Sequence, residues 1–181
     1  NELDDRLGSR TLFNTLVFIS REGKILGRHR KLIPTYTERL FWGRGDAGDL
    51  RVFETDIGRI GGLVCWEHHM ILARAAMITK GEEIHIAVWP GSWHGEGPRL
   101  SEPCADERCD LYPAIREHAF EMGGYVLSSS IYMTKDDVPD SFPYKETMNM
   151  DWAIGGSAIV GPNALYVAGP VWNEDTILYG E

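Results

Sequence analysis

Short apolar runs rich in β-branched and aromatic residues, interrupted by two stretches of helical period, constrain this chain more than any other feature. Thr11–Ser20 (TLFNTLVFIS) closes on a turn at Arg21-Glu22-Gly23-Lys24, and Lys24–His29 returns as a second strand. Pro34 and the stretch Gly43–Gly48 (GRGDAG) mark a long loop. Val52–Thr55 and Arg59–Cys65, split by Asp56-Ile57-Gly58, predict another hairpin, and the run IGGLVC is apolar enough for its second arm to be buried. From His69 the period changes. Ile71, Leu72, Ala75, Ala76 and Ile78 fall at helical spacing, with Gly81 as the residue that ends the helix. Ile84–Trp89 is a strand closed by Pro90-Gly91, and Leu111–Met122 a second helix ending at Gly123-Gly124. Tyr125–Ile131, Gly156–Val160, Ala164–Ala168 and Thr176–Tyr179 read as strands, and Thr134–Met150 as a polar exposed loop. Hairpins flanking an alternating strand–helix middle predict an α/β sandwich with mixed sheets rather than an all-parallel barrel.

Charge and composition narrow the partners. The 18 basic against 27 acidic residues leave a formal charge of −9, which disfavours nucleic acid. No apolar run approaches the roughly 20 residues that span a bilayer, so no membrane partner is expected. Three cysteines are an odd number and make no disulfide framework, which favours a reducing compartment and a cytoplasmic location. Asn1-Glu2-Leu3-Asp4-Asp5 carries neither an initiator Met nor a leader pattern, and the chain stops in the strand-like run Ile177–Tyr179. Both ends look cut, and the sequence reads as an interior piece of a longer protein, residues 1–181 forming part of one domain.

Few residues offer chemistry. Cys65 ends the buried apolar strand and directly precedes a predicted helix, where the N–H groups of a helix N-terminus stabilise a thiolate. Taken alone it reads equally as a small buried hydrophobe. Lys31, in His29-Arg30-Lys31-Leu32-Ile33-Pro34, follows a strand; near a thiol it would stabilise negative charge, whereas by itself it reads as a solvated surface charge. Glu38 stands seven residues on and pairs with Lys31, orients a substrate, or is a first-turn glutamate. Adjacent His68 and His69 chelate a metal poorly from one helix, and Cys104 and Cys109 lack a second pair at zinc spacing, so no metal is expected. A Cys–His dyad with His94 or His118 is the alternative arrangement for a thiol nucleophile.

The stretches HRKLIPTYTERLFWGRGD (29–46) and GGLVCWEHHM (61–70) together resemble the nitrilase branch of the nitrilase superfamily. IHIAVWP (84–90), REHAFEMGGYVLSS (116–129) and GGSAIVGP (155–162) agree, so the resemblance covers essentially the whole chain. It implies an α-β-β-α sandwich, here lacking its N-terminal part, and a Glu–Lys–Cys triad. Cys65 matches the nucleophile, Lys31 the lysine and Glu38 a second, positioning glutamate; Trp66 and Glu67 fall at the substrate pocket. Amidase and carbamoylase branches usually place tyrosine where Trp66 stands. The general-base glutamate would lie upstream of Asn1, and neither Glu2 nor any later glutamate sits in its motif. Ile71 occupies a position where nitrilases have proline, a residue favoured but not required in a first helical turn. The implied reaction converts a small-molecule nitrile to carboxylate and ammonia without metal or organic cofactor. Close relatives of the same fold hydrolyse amides or cyanide, and a non-catalytic assembly subunit is the reading from a different class. The resemblance also implies homo-oligomers, dimers that extend into spirals.

Overall fold

The structure, a computed structural model, describes residues 11–91, 111–148 and 153–181. They divide into two compact units, Asn1–His85 and Ile86–Glu181, with one strand running across the division.

In the first unit, β1 (Thr15–Ile19) and β2 (Ile25–Arg30) form the predicted antiparallel hairpin, with Thr15 opposite Arg30 and a register shift at Phe18/Ile19. A second hairpin pairs β3 (Phe53–Thr55) with β4 (Gly58–Val64), Phe53 opposite Ile60. The Phe18 and Phe53 rings, 4.7 Å apart, join the hairpins. The last four residues of β4 are buried, as the run IGGLVC requires. Helix α1 (Ile71–Thr79) buries Ala73, Arg74 and Met77 while Ile71 and Leu72 stay in solvent. Ala73 and Met77 pack with Leu50 and Leu63, and each leucine or methionine side chain buried in this cluster contributes about 1.5–3 kcal/mol. Ile71 is the first residue of α1, the position at which proline would be accommodated without a lost hydrogen bond. The helix ends where expected: Gly81 adopts φ +78°, and its N–H donates to the Ile78 carbonyl.

One expectation fails at the junction before α1. Cys65 does not open an α-helix; Cys65–His69 form a 3₁₀ turn, and α1 starts only at Ile71. The cause is local. Cys65 takes φ +56°, in the left-handed region, and the Glu67 carboxylate reaches back to the Val64 N–H, which closes a tight turn in place of an α-helical one.

Strand β5 (Ile84–Trp89) leads into the second unit, whose sheet order is β5-β6-β7-β8, with β6 spanning Tyr125–Ser130, β7 Gly155–Val160 and β8 Tyr166–Trp172. β6 and β7 are antiparallel, as are β7 and β8. Helix α2 (Leu111–Met122) packs on β6 and β7 through Leu111, Ala114, Ile115, His118 and Ala119, a stripe at helical spacing. Tyr112 stands edge-on to Tyr166 and Trp172 of β8. Thr134–Met148 is largely exposed, as its polarity predicts, with short 3₁₀ turns at Lys135–Asp137 and Lys145–Thr147. Thr176–Tyr179, expected as a strand, forms none: Ile177 and Tyr179 point into solvent, and β8 already ends at Trp172. No described helix is long and apolar enough to cross a membrane.

Candidate active site

Cys65 sits where β4 gives way to the 3₁₀ turn. It is 3% exposed and in no disulfide. A side chain with a Cβ at positive φ costs of order 1–3 kcal/mol and persists only where its surroundings impose it. Here they do. His68 Nδ1 lies 2.6 Å from the Cys65 carbonyl oxygen and must donate to it; His68 Nε2 meets His85 Nε2 at 2.9 Å; His85 Nδ1 meets the Glu82 carboxylate at 2.8 Å. All three side chains are buried. The backbone of the cysteine is thus the end of a chain of hydrogen bonds running into the core.

Lys31 follows β2 and is 1% exposed. Its Nζ donates to Glu38 Oε2 at 2.6 Å, the same oxygen that accepts the Thr35 N–H, while Asn14 Nδ2 donates to Glu38 Oε1. The solvated-charge reading of Lys31 is therefore wrong, and Glu38 both pairs with Lys31 and is a first-turn glutamate that accepts the Thr35 N–H. Glu38 reaches the lysine from a 3₁₀ turn, Tyr36–Leu40, as its third residue after Thr35. The lysine backbone is held as well: its N–H donates to the Asn14 carbonyl and its carbonyl accepts from Gly45. A Cβ on Gly45 would stand 2.2 Å from the Arg30 carbonyl oxygen, so glycine is what lets this strand approach. Gly45→Ala should separate the two backbones and release the Lys31 carbonyl, lowering Tm and kcat together; unchanged values of both in the full-length protein would show that the contact is dispensable.

Glu67 is 1% exposed and spends both oxygens on fixed donors. Oε1 accepts the Leu32 N–H at 2.7 Å; Oε2 accepts the Val64 N–H and His29 Nε2, each at 2.8 Å. His29 Nδ1 lies 3.2 Å from the Asp49 carbonyl oxygen, so both nitrogens of this buried ring are held by oxygen atoms of the protein. Trp66, next to the cysteine, is 48% exposed, its ring 4.9 Å from that of His69.

A family model described as carbon-nitrogen hydrolase matches residues 3–181. The chain belongs to the carbon-nitrogen hydrolases. Among proteins similar to it, Nitrilase 2 from an unknown prokaryotic organism is 38% identical over 169 residues, covering 93% of this chain and 48% of that protein. Bifunctional nitrilase/nitrile hydratase NIT4A of Lupinus angustifolius is 37% identical over 176 residues, covering 93% and 46%. The chain thus spans about half the length of the curated relatives it matches. Two solved structures share its α/β fold: a carbon-nitrogen hydrolase from Helicobacter pylori G27 (TM-score 0.75, 22% identity, 96% of this chain and 58% of that one) and Saccharomyces cerevisiae Nit3 (TM-score 0.64, 20% identity, 93% and 53%).

The structure brings Lys31 and Glu38 into contact and ties the residues beside Lys31 and Cys65 to one carboxylate, that of Glu67. His118 is buried on α2 of the second unit. His94, Cys104 and Cys109 lie outside the described residues. Sequence reasoning gave His29, His68, Glu82 and His85 no role. Their only local signal was histidines and acids inside otherwise strand- or turn-like segments, and nothing there names their partners.

Proposed function

We propose that the full-length protein is a nitrilase: it hydrolyses an organic nitrile to the carboxylate and ammonia through a covalent intermediate on Cys65. A nitrile carbon is a reluctant electrophile and calls for a soft, strong nucleophile, which a thiolate is. Attack by Cys65 Sγ forms the C–S bond and a thioimidate whose nitrogen takes up a proton. Water adds, the tetrahedral species expels ammonia, and a thioester remains; a second water breaks the C–S bond and releases the acid. Lys31 holds the charge that develops, and Glu38 fixes the ammonium in place. A glutamate upstream of this segment serves as general base for the thiol and the waters. The chemistry calls for no metal or organic cofactor.

The observation that carries this reading is the burial of Lys31. A lysine sequestered on a paired carboxylate loses hydration, a cost a solvated surface residue avoids, and it becomes reasonable when the charge serves chemistry. The names of the relatives, one of them a bifunctional nitrilase/nitrile hydratase, favour nitrile as substrate and admit amide as a second product. In this reading Trp66 lines the substrate pocket, and its half-exposed ring is free to supply an apolar wall there. Self-association into dimers and spirals and a cytoplasmic location complete the proposal, the first resting on the family and the second on the odd number of cysteines.

The test is direct. The full-length protein should release ammonia and acid from a panel of aromatic, arylaliphatic and aliphatic nitriles. Hydrolysis of amides alone would move it to an amidase, and no turnover of either, with Cys65 unreactive, would make it a non-catalytic subunit.

A further inference from the structure

The resemblance places Glu67 at the substrate pocket, yet its carboxylate is enclosed and its donors are all protein groups. What those donors are matters more than their number. The Leu32 N–H belongs to the residue after Lys31, and the Val64 N–H to the residue before Cys65; the sequence separates them widely, and one carboxylate spans them. His29, two residues before Lys31 in the same segment, adds a third bond on the Lys31 side. The Lys31 segment is therefore bound on both flanks to a group carried by the turn that Cys65 opens.

We propose that Glu67, supported by His29, is a positioning residue that sets Lys31 relative to Cys65, and that it does not touch substrate. The proposal rests on the reading of Cys65 and Lys31 as the reacting pair. Each oxygen of Glu67 accepts a backbone N–H, one from either segment, which is why a carboxylate suits the position. In Glu67→Gln one oxygen becomes an NH₂ that faces an N–H, so at least one of the two backbone bonds is lost at constant side-chain volume. The segments are then free to separate by about an ångström. A misplacement on the ångström scale costs on the order of 10²-fold in rate, because the nucleophile and the charge partner act in one geometry.

The experiment measures kcat, KM and Tm of the full-length protein on the nitrile it turns over best, for Glu67→Gln, His29→Ala, His29→Gln and the Glu67→Gln/His29→Ala double variant. Glu67→Gln should lose roughly 10²-fold in kcat with KM nearly unchanged. His29→Ala should lose less, and the double variant no more than Glu67→Gln alone, since both act through one carboxylate. His29→Gln keeps an N–H near the position of Nε2 and should recover most of what His29→Ala loses. If Glu67→Gln does not fold, the His29 pair decides the matter by that recovery. A raised KM with kcat intact would make Glu67 a pocket residue and overturn the proposal. So would a lowered Tm with kcat per folded enzyme unchanged, or His29→Gln no better than His29→Ala. Cys65→Ala, assayed alongside, separates the two assignments: if it stays active, the reacting pair is wrong, whereas if it is dead and Glu67→Gln keeps its kcat, only the brace is wrong.

Discussion

Cys65→Ala in the full-length protein is expected to abolish nitrile hydrolysis while leaving the fold and Tm close to those of the unmodified enzyme. The loss of rate follows from removing the sulfur that forms the thioimidate, which closes the covalent route through Cys65. The small effect on stability follows from what alanine keeps. The side chain loses one buried sulfur, worth about 1 kcal/mol on the scale of a buried methylene, and the Cβ already tolerated at φ +56° remains. His68 bonds the Cys65 carbonyl, not its side chain, so that bond is unaffected. Ammonia release and thermal unfolding check the two halves, and in slow variants mass spectrometry should find the substrate-derived adduct on Cys65. An adduct on Cys104 or Cys109 in place of Cys65 would end the assignment.

Lys31→Met should reduce kcat by at least about 10², the usual scale for losing one partner that holds transition-state charge. Methionine roughly keeps the volume of the buried stem, so packing is largely preserved, but Glu38 then faces Thr35 and Asn14 without its ammonium partner. Removing one member of a fully buried pair destabilises by about 3–5 kcal/mol, and less than that here because Glu38 is 24% exposed and water can reach it. Lys31→Ala adds a cavity to the same loss. The discriminating comparison is between rate and stability. If Lys31→Met lowers Tm but keeps a near-normal kcat, then the lysine only balances Glu38, and its charge has no part in the reaction.

The sequence made the apolar elements legible. β5 and α2 fall at their predicted residues and α1 stops at Gly81, because Pro90, Gly123 and Gly81 punctuate runs whose periodicity is unambiguous. Polar burial was another matter. In His29-Arg30-Lys31 the lysine reads from sequence as a solvated charge, yet all three side chains are buried. What neutralises or covers them comes from elsewhere: Glu67 for His29, the Phe13 ring under the Arg30 guanidinium at 4.2 Å, Glu38 for Lys31. An excess of acidic residues shows that partners exist but not which carboxylate meets which cation. The turn at Cys65–His69 was hidden for the same reason. Its residues are compatible with a helix, and the local bonds that close the tight turn are joined by long-range bonds of Glu67 to Leu32 and of His68 to His85, which the sequence does not announce.

The left-handed backbone at position 65 also limits which nucleophiles this scaffold could ever display there. Glycine and asparagine adopt φ +56° readily, and cysteine, serine or alanine can be held in it. Threonine and valine cannot be expected there, because a second heavy atom on Cβ crowds the following carbonyl in that conformation. A library aimed at changing the reacting atom from sulfur to oxygen should therefore search serine at position 65 and leave threonine out, however similar the two hydroxyls are as chemistry.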